Sequence, residues 1–148
     1  MKNQYFISIF VALISLSCKD GSTDSTKSIQ FQNVENASYF RLDKDTVIII
    51  TDSAEWNSLY DNYWSDSSKS IPQINFQIDQ VVAFFLPAQS GCTAKLDLVT
   101  KIEVNNSSVK IYRKAYSSGM LGYCTGWFYP FQIIQFQRQE LPVEFVIQ

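Results

Sequence analysis

Hydrophobic positions change their period several times along this chain, and each period predicts an element. Thr46-Val-Ile-Ile-Ile-Thr51 is a β-branched run of strand length, apolar on both of its faces, the pattern of a strand covered from both sides. Asp52-Ser53-Ala54-Glu55 follows directly and sets a helix N-cap residue three positions before a Glu, the spacing of a capping box. Trp56, Leu59, Tyr60 and Tyr63 then fall at i, i+3, i+4 and i+7, one stripe of an amphipathic helix. An aromatic stripe of this kind serves as a ligand platform or, more often, packs on a sheet.

Ser65 to Ser70 is polar and Pro72 blocks continuation of the helix, so a loop is expected to lead into Ile74-Asn75-Phe76. Val81-Val-Ala-Phe-Phe-Leu86 is the most apolar segment after the amino terminus and reads as a central strand. Pro87 to Thr93 is a turn-rich break. From Lys95 to Val104 the pattern alternates, with Leu96, Leu98, Ile102 and Val104 on one face and Lys95, Asp97, Lys101 and Glu103 on the other. Asn105-Asn106-Ser107-Ser108 reads as the tight connection of a hairpin into Val109 to Ala115. Gly119, Gly122 and Gly126 surround Cys124 in an irregular stretch, Trp127 to Gln137 reads as one strand, and Pro142 to Ile147 as a last short one. Runs of strands with one early helix predict an α+β domain on a mainly antiparallel sheet, open or curled toward a sandwich or barrel.

The amino terminus follows none of these patterns. Lys2 precedes an apolar run from Phe6 to Leu16, broken only by Ser8 and Ser15 and ending at Ser17-Cys18. This is the n-region, h-region and small-residue exit of a secretory signal, and it is too short for a spanning helix, which needs about 20 apolar residues. Ser15-Leu16-Ser17-Cys18 resembles a lipobox, although Leu16 stands two residues before the cysteine where lipoboxes usually place Leu three before. The expected organisation is a signal peptide over residues 1–17, a lipidated Cys18 with a polar tether over 18–28, and one domain over 29–148. Several acyl chains on Cys18, palmitate among them, would anchor the protein stably where one would not. Lys19-Asp20 looks like the charged export signal that sends lipoproteins to the surface in some Gram-negative groups. The expected location is therefore the outer membrane, facing the periplasm or the exterior.

With Cys18 acylated, Cys92 and Cys124 remain as an even pair in an oxidising compartment, and a disulfide is the natural reading. It would stabilise the fold by about 3 to 4 kcal/mol in the chain-entropy model. The alternative, a reactive thiol, lacks a neighbouring histidine or a Cys-x-x-Cys partner in the sequence.

Composition narrows the chemistry. In 148 residues that are 46% hydrophobic and 15% aromatic there is room for one domain with a true core. A formal charge of -2 gives no reason to expect nucleic acid as a partner. The chain holds no histidine, which removes the usual general base and the commonest transition-metal ligand. No Gly-x-Ser-x-Gly elbow and no phosphate-binding Gly-x-x-x-x-Gly-Lys loop occurs. Asp61 with Asp66, and Asp43 with Asp45, are nominal carboxylate pairs in polar stretches that read as solvated surface. Asp43, Asp45 and Asp52 lack the spacing of an EF-hand loop. No metal, cofactor or catalytic residue is expected.

The order of features resembles the carboxy-terminal domain of the PrcB family, named for a subunit of a bacterial surface protease complex. The likeness runs from Thr46 to Phe145 and rests on three places: Val47 to Trp56, Ile74-Asn75-Phe76 with Val81-Val82-Ala83-Phe84-Phe85, and Tyr129-Pro130-Phe131-Gln132-Ile133-Ile134 with Pro142-Val143-Glu144-Phe145. Where members carry a Thr-Gly-Gly-Tyr-like turn, this chain has Gln89-Ser90-Gly91-Cys92-Thr93; it has Asn75 for their Asp, and Arg138 near their basic position. The resemblance implies a non-catalytic interaction module accessory to a protease complex. Tyr116, Met120, Tyr123, Trp127 and Phe128, with Leu121, gather large side chains in the glycine-rich segment, as a binding surface or as a cap on the sheet. The expected partner is an envelope protein, a protease among the candidates. Two readings stay open beside it: glycan or small-ligand binding, and a carboxylate-based envelope hydrolase.

Overall fold

The computed structural model describes residues 25–35, 42–63, 70–90, 97–115 and 127–148, with the backbone alone for Glu35, Ser90, Trp127 and Phe128. In chain order the elements are β1 (Lys27–Ile29), β2 (Phe31–Glu35), β3 (Thr46–Ile50), α1 (Ser53–Tyr63), β4 (Asp79–Phe85), β5 (Gln89–Ser90), β6 (Val99–Val104), β7 (Val109–Arg113), β8 (Trp127–Phe128), β9 (Phe131–Gln137) and β10 (Val143–Ile147). They form a central sheet in the order β2-β9-β4-β3, an outer sheet in the order β1-β6-β7-β10, and a two-stranded ribbon of β5 and β8. All pairings are antiparallel except β10 on β7. This is the expected α+β domain, as a sandwich of two sheets with a helix on one side rather than a closed barrel.

Strand β4 explains the layering. Val82, Phe84 and Leu86 lie in the core between the two sheets, with Ile102, Val109 and Ile111 from the outer sheet and Ile134 and Phe136 from β9. Val81, Ala83 and Phe85 point the other way, into a second core with Trp56, Leu59 and Tyr60 of the helix. A strand buried on both faces needs apolar residues at every position, which is why this segment shows no alternation. It sits between β9 and β3, as its composition predicts.

The helix stripe packs on the central sheet: Trp56, Leu59 and Tyr60 are buried, and Tyr63 is partly buried against them. The Glu55 amide donates to Asp52 Oδ1 at 2.8 Å, the N-cap contact, which contributes about 1 kcal/mol. The Glu55 carboxylate accepts from the Thr51 amide at 3.1 Å, one residue earlier than a capping box requires. Trp56 Nε1 donates to the Pro72 carbonyl at 2.9 Å and so ties the returning 70–78 segment over the helix.

Several boundaries differ from the sequence reading, each for a local reason. Strand β3 is an edge strand, so Ile49 is open to solvent while Ile48 and Ile50 face the helix. The expected strand from Trp127 to Gln137 breaks at Tyr129-Pro130, because Pro130 has no N–H for the ladder; its carbonyl instead accepts from the Leu86 amide at 2.9 Å. Within the expected turn after Pro87, Gln89 and Ser90 pair with Phe128 and Trp127. Strand β6 begins at Val99, and Leu98 and Val99 are both buried because the register shifts between Val99 and Lys101. Strand β1 begins at Lys27, two residues ahead of Ile29, and the chain then changes sheets at Gln30. Ile29 and Phe31, on either side of that crossing, both pack on the inter-sheet core.

Candidate functional site

Cys18, Cys92, Cys124, Tyr116, Met120 and Tyr123 lie outside the described residues, as does Asp66. Trp127 and Phe128 are placed by their backbone in β8, paired with β5. Of the residues expected to form a binding surface, the structure thus describes only this stretch of backbone.

The inward positions of β7 run Val109, Ile111, Arg113. The first two are wholly buried between the sheets. At the third, where the alternation calls for another apolar residue, stands an arginine next in register to Ile147 of β10. Here the sandwich opens into a cleft of about 390 Å³. Leu86, Pro87, Ala115 and Ile147 supply its apolar walls, and Asp45, Gln89 and Arg113 its polar groups.

The frame around the cleft is held by hydrogen bonds. Asp43 Oδ1 accepts from the Ala88 amide at 2.7 Å, fastening the approach to β3 to the segment after β4. The Gln148 amide donates to the Arg113 carbonyl at 2.9 Å, and the Ala115 amide to the Gln148 carbonyl at 3.1 Å. The arginine head is not held in this way. Its Nε is shielded from solvent and has no hydrogen-bond partner. The ion pairs among the described residues join Lys101 to Glu103 and Arg138 to Glu140, so neither engages Arg113. A shielded donor left unanswered costs about 1 to 3 kcal/mol, and such a group in a native fold calls for an explanation. Gln80 Nε2 and Ser108 Oγ are also without partners. What sets Arg113 apart is its full charge and its place in the wall of a cleft.

Other polar groups have evident structural work. Gln132 is fully buried and bridges the sheets: its Oε1 accepts from the Leu98 and Val99 amides at 2.9 and 3.0 Å, and its Nε2 donates to Asn33 Oδ1 at 2.9 Å, beside the bulge of β2. Arg138 Nη1 donates to the carbonyls of Thr51 and Phe76 at 3.3 and 3.2 Å, clasping the start of the helix to the turn before β4. On the outer face of the outer sheet, Lys101 bonds Glu103 at 2.9 Å and lies 4.2 Å from the Tyr112 ring centroid. The hydrogen bonds from Lys101 and then Tyr112 hold the Glu103 carboxyl below its ordinary range, while bonding to Glu103 raises both Lys101 and Tyr112. Among the described residues no three or more His, Cys, Asp or Glu gather as a metal site, and no helix is long and apolar enough to cross a membrane.

Compared with known proteins, the chain matches no family model, no curated protein and no solved structure. Its function is therefore argued from its own geometry. Arg113 was not singled out from the sequence, because Val109 to Ala115 reads as an ordinary strand with one wet face. The signal lay in parity: Val109, Ile111 and Arg113 share a face, and Lys110, Tyr112 and Lys114 belong to the wet one.

Proposed function

We propose that this chain is a lipid-anchored envelope protein whose β-rich domain is a non-catalytic binding module, engaging an envelope protein at the open end of the sandwich. The observation that carries this reading is the cleft beside β5 and β8: Gln89 lines it and pairs through its backbone with Phe128. An apolar cleft with a few convergent polar groups is the usual form of a binding site. Among the described residues that line the cleft there is no serine, threonine or cysteine nucleophile and one carboxylate, Asp45, which favours binding over bond cleavage. The resemblance to the PrcB family directs attention to a protease assembly as the partner, and the Ser15-Leu16-Ser17-Cys18 sequence supports the anchor.

Pull-down of the full-length protein from detergent-solubilised envelopes tests the reading. An envelope protein should be recovered with the wild type and lost with Trp127→Ala or Tyr123→Ala. Recovery of nothing that depends on either side chain would remove the proposal. Intact mass measurement tests the anchor and the staple together: a species beginning at an acylated Cys18 with Cys92 and Cys124 joined is expected, and an unacylated full-length chain with both later thiols free contradicts it.

A further inference from the structure

We infer that the cleft at the Arg113 end of the sandwich binds a carboxylate carried on a compact apolar group, with the Arg113 guanidinium as the anion-binding element. This rests on the reading of that end as the binding end and names the chemistry it takes. Three features of the cleft select the ligand.

The first is the unanswered Nε of Arg113, shielded from solvent at an inward strand position. A guanidinium presents its donors as a planar fork that matches a carboxylate through two parallel hydrogen bonds, and Arg113 lines the cleft with neither ion pair of the described residues engaging it. The second is the wall. Leu86 is buried and Ile147 is 60% exposed at the mouth, so an apolar body entering beside the arginine would cover surface that water now meets. The third is Asp45, which shares the lining without pairing to Arg113. Among the described lining residues one carboxylate stands beside one guanidinium, a balance that disfavours a dianion such as phosphate and tolerates a monoanion. A volume of about 390 Å³ lies at the small end of ligand sites and suits a group the size of one or two side chains. This chemistry has two sources, the carboxy-terminal residue of a polypeptide and a free organic acid. Capture of a peptide's terminal carboxylate is one recurring mode of peptide recognition.

Isothermal titration of the protein with N-acetyl-leucine, N-acetyl-leucinamide and inorganic phosphate tests the inference. The acid should bind, with the amide and phosphate at least about tenfold weaker, since the amide offers the fork no charged acceptor. Arg113→Met should weaken the acid by about tenfold to a hundredfold, and Arg113→Lys by a smaller factor, because the charge remains while the fork is lost. Without ligand, Arg113→Met should melt no lower than the wild type, since it removes an unanswered donor. Asp45→Asn should bind the acid at least as well and gain affinity for phosphate. Equal binding of acid and amide, no binding of either, or wild-type affinity in both Arg113 variants would overturn the assignment; so would a clear loss of melting temperature in Arg113→Met.

Two further arms identify the source. A fluorescein-labelled peptide ending in a leucine carboxylate that binds far more tightly than 4-methylpentanoate points to a polypeptide end, and equal affinity points to a free acid; both support the shared chemistry. The inference and the proposed function can fail separately. If N-acetyl-leucine does not bind while an envelope partner is still recovered in a Trp127-dependent way, the carboxylate site falls and the module stands. If the acid binds and no partner is recovered, the opposite holds.

Discussion

Gln132 and Arg113 occupy comparable places in the same sandwich and meet opposite fates. Each is a polar residue on an inward position of a strand, facing the space between the two sheets. Gln132 lies deep, opposite Phe84 in register, and both ends of its amide are answered by Leu98, Val99 and Asn33. Arg113 lies at the open end, and its Nε is answered by nothing. The difference separates two uses of buried polarity. A satisfied amide in a closed core fixes how the layers meet, since any other arrangement leaves two backbone donors stranded. An unsatisfied donor at the open end gives up stability and fixes no arrangement of the layers, and the guanidinium that carries it lines a cleft.

The largest test of this contrast is Gln132→Leu. The leucine fills similar space, but the Leu98 and Val99 amides lose their acceptor and Asn33 its donor. A loss of about 3 to 5 kcal/mol is expected in urea or guanidinium unfolding, from two or more buried groups at 1 to 3 kcal/mol each. A loss below about 1 kcal/mol would mean that the bridge is incidental and that the contrast with Arg113 teaches nothing. Next in size is Arg138→Met, which strips a charged donor from the Thr51 and Phe76 carbonyls and should cost about 2 kcal/mol in the same measurement. Arg113→Met should cost about zero or raise stability slightly, a change of sign that sets the cleft arginine against the two structural residues.

Much of this was legible in local pattern. The helix, its cap, the central strand and the final strand follow from spacing alone, because one buried face or two leaves a periodic trace in the sequence. Asn105 was legible in the same way: its Oδ1 accepts from the amides of Ser107 and Ser108 and closes the hairpin. What the sequence hid depends on contacts between distant segments. That Ile49 faces water follows from the strand order, and the burial of both Leu98 and Val99 from a register shift. The parallel placement of β10 on β7 follows from the chain having crossed to the central sheet in between. The cleft was hidden for the same reason, since its lining comes from five separate strands or strand ends. Of the binding surface expected from Tyr116 to Phe128, only the backbone of Trp127 and Phe128 falls within the described residues.

The smallest effect sharpens the comparison from the outside. Glu103, Lys101 and Tyr112 form a network as well connected as that of Gln132, but on the solvated face of the outer sheet, where water and salt compete for every charge. Glu103 is held below its ordinary value of 4.5, so its contribution to stability is present above that value and fades as pH falls through the lower value of the folded state. Lys101 and Tyr112 are raised above 10.5 and 10.0, so theirs is present below those values and fades as pH rises through the higher values of the folded state. The stability difference between wild type and Glu103→Gln should therefore be small and flat from about pH 6 to 9, and narrow toward acid. Added salt should narrow it further, whereas the cost of Gln132→Leu should hardly respond to salt. If Glu103→Gln cost as much as Gln132→Leu, or ignored salt, exposure would not be what distinguishes these networks, and the unanswered donor of Arg113 would lose its meaning as a sign of binding.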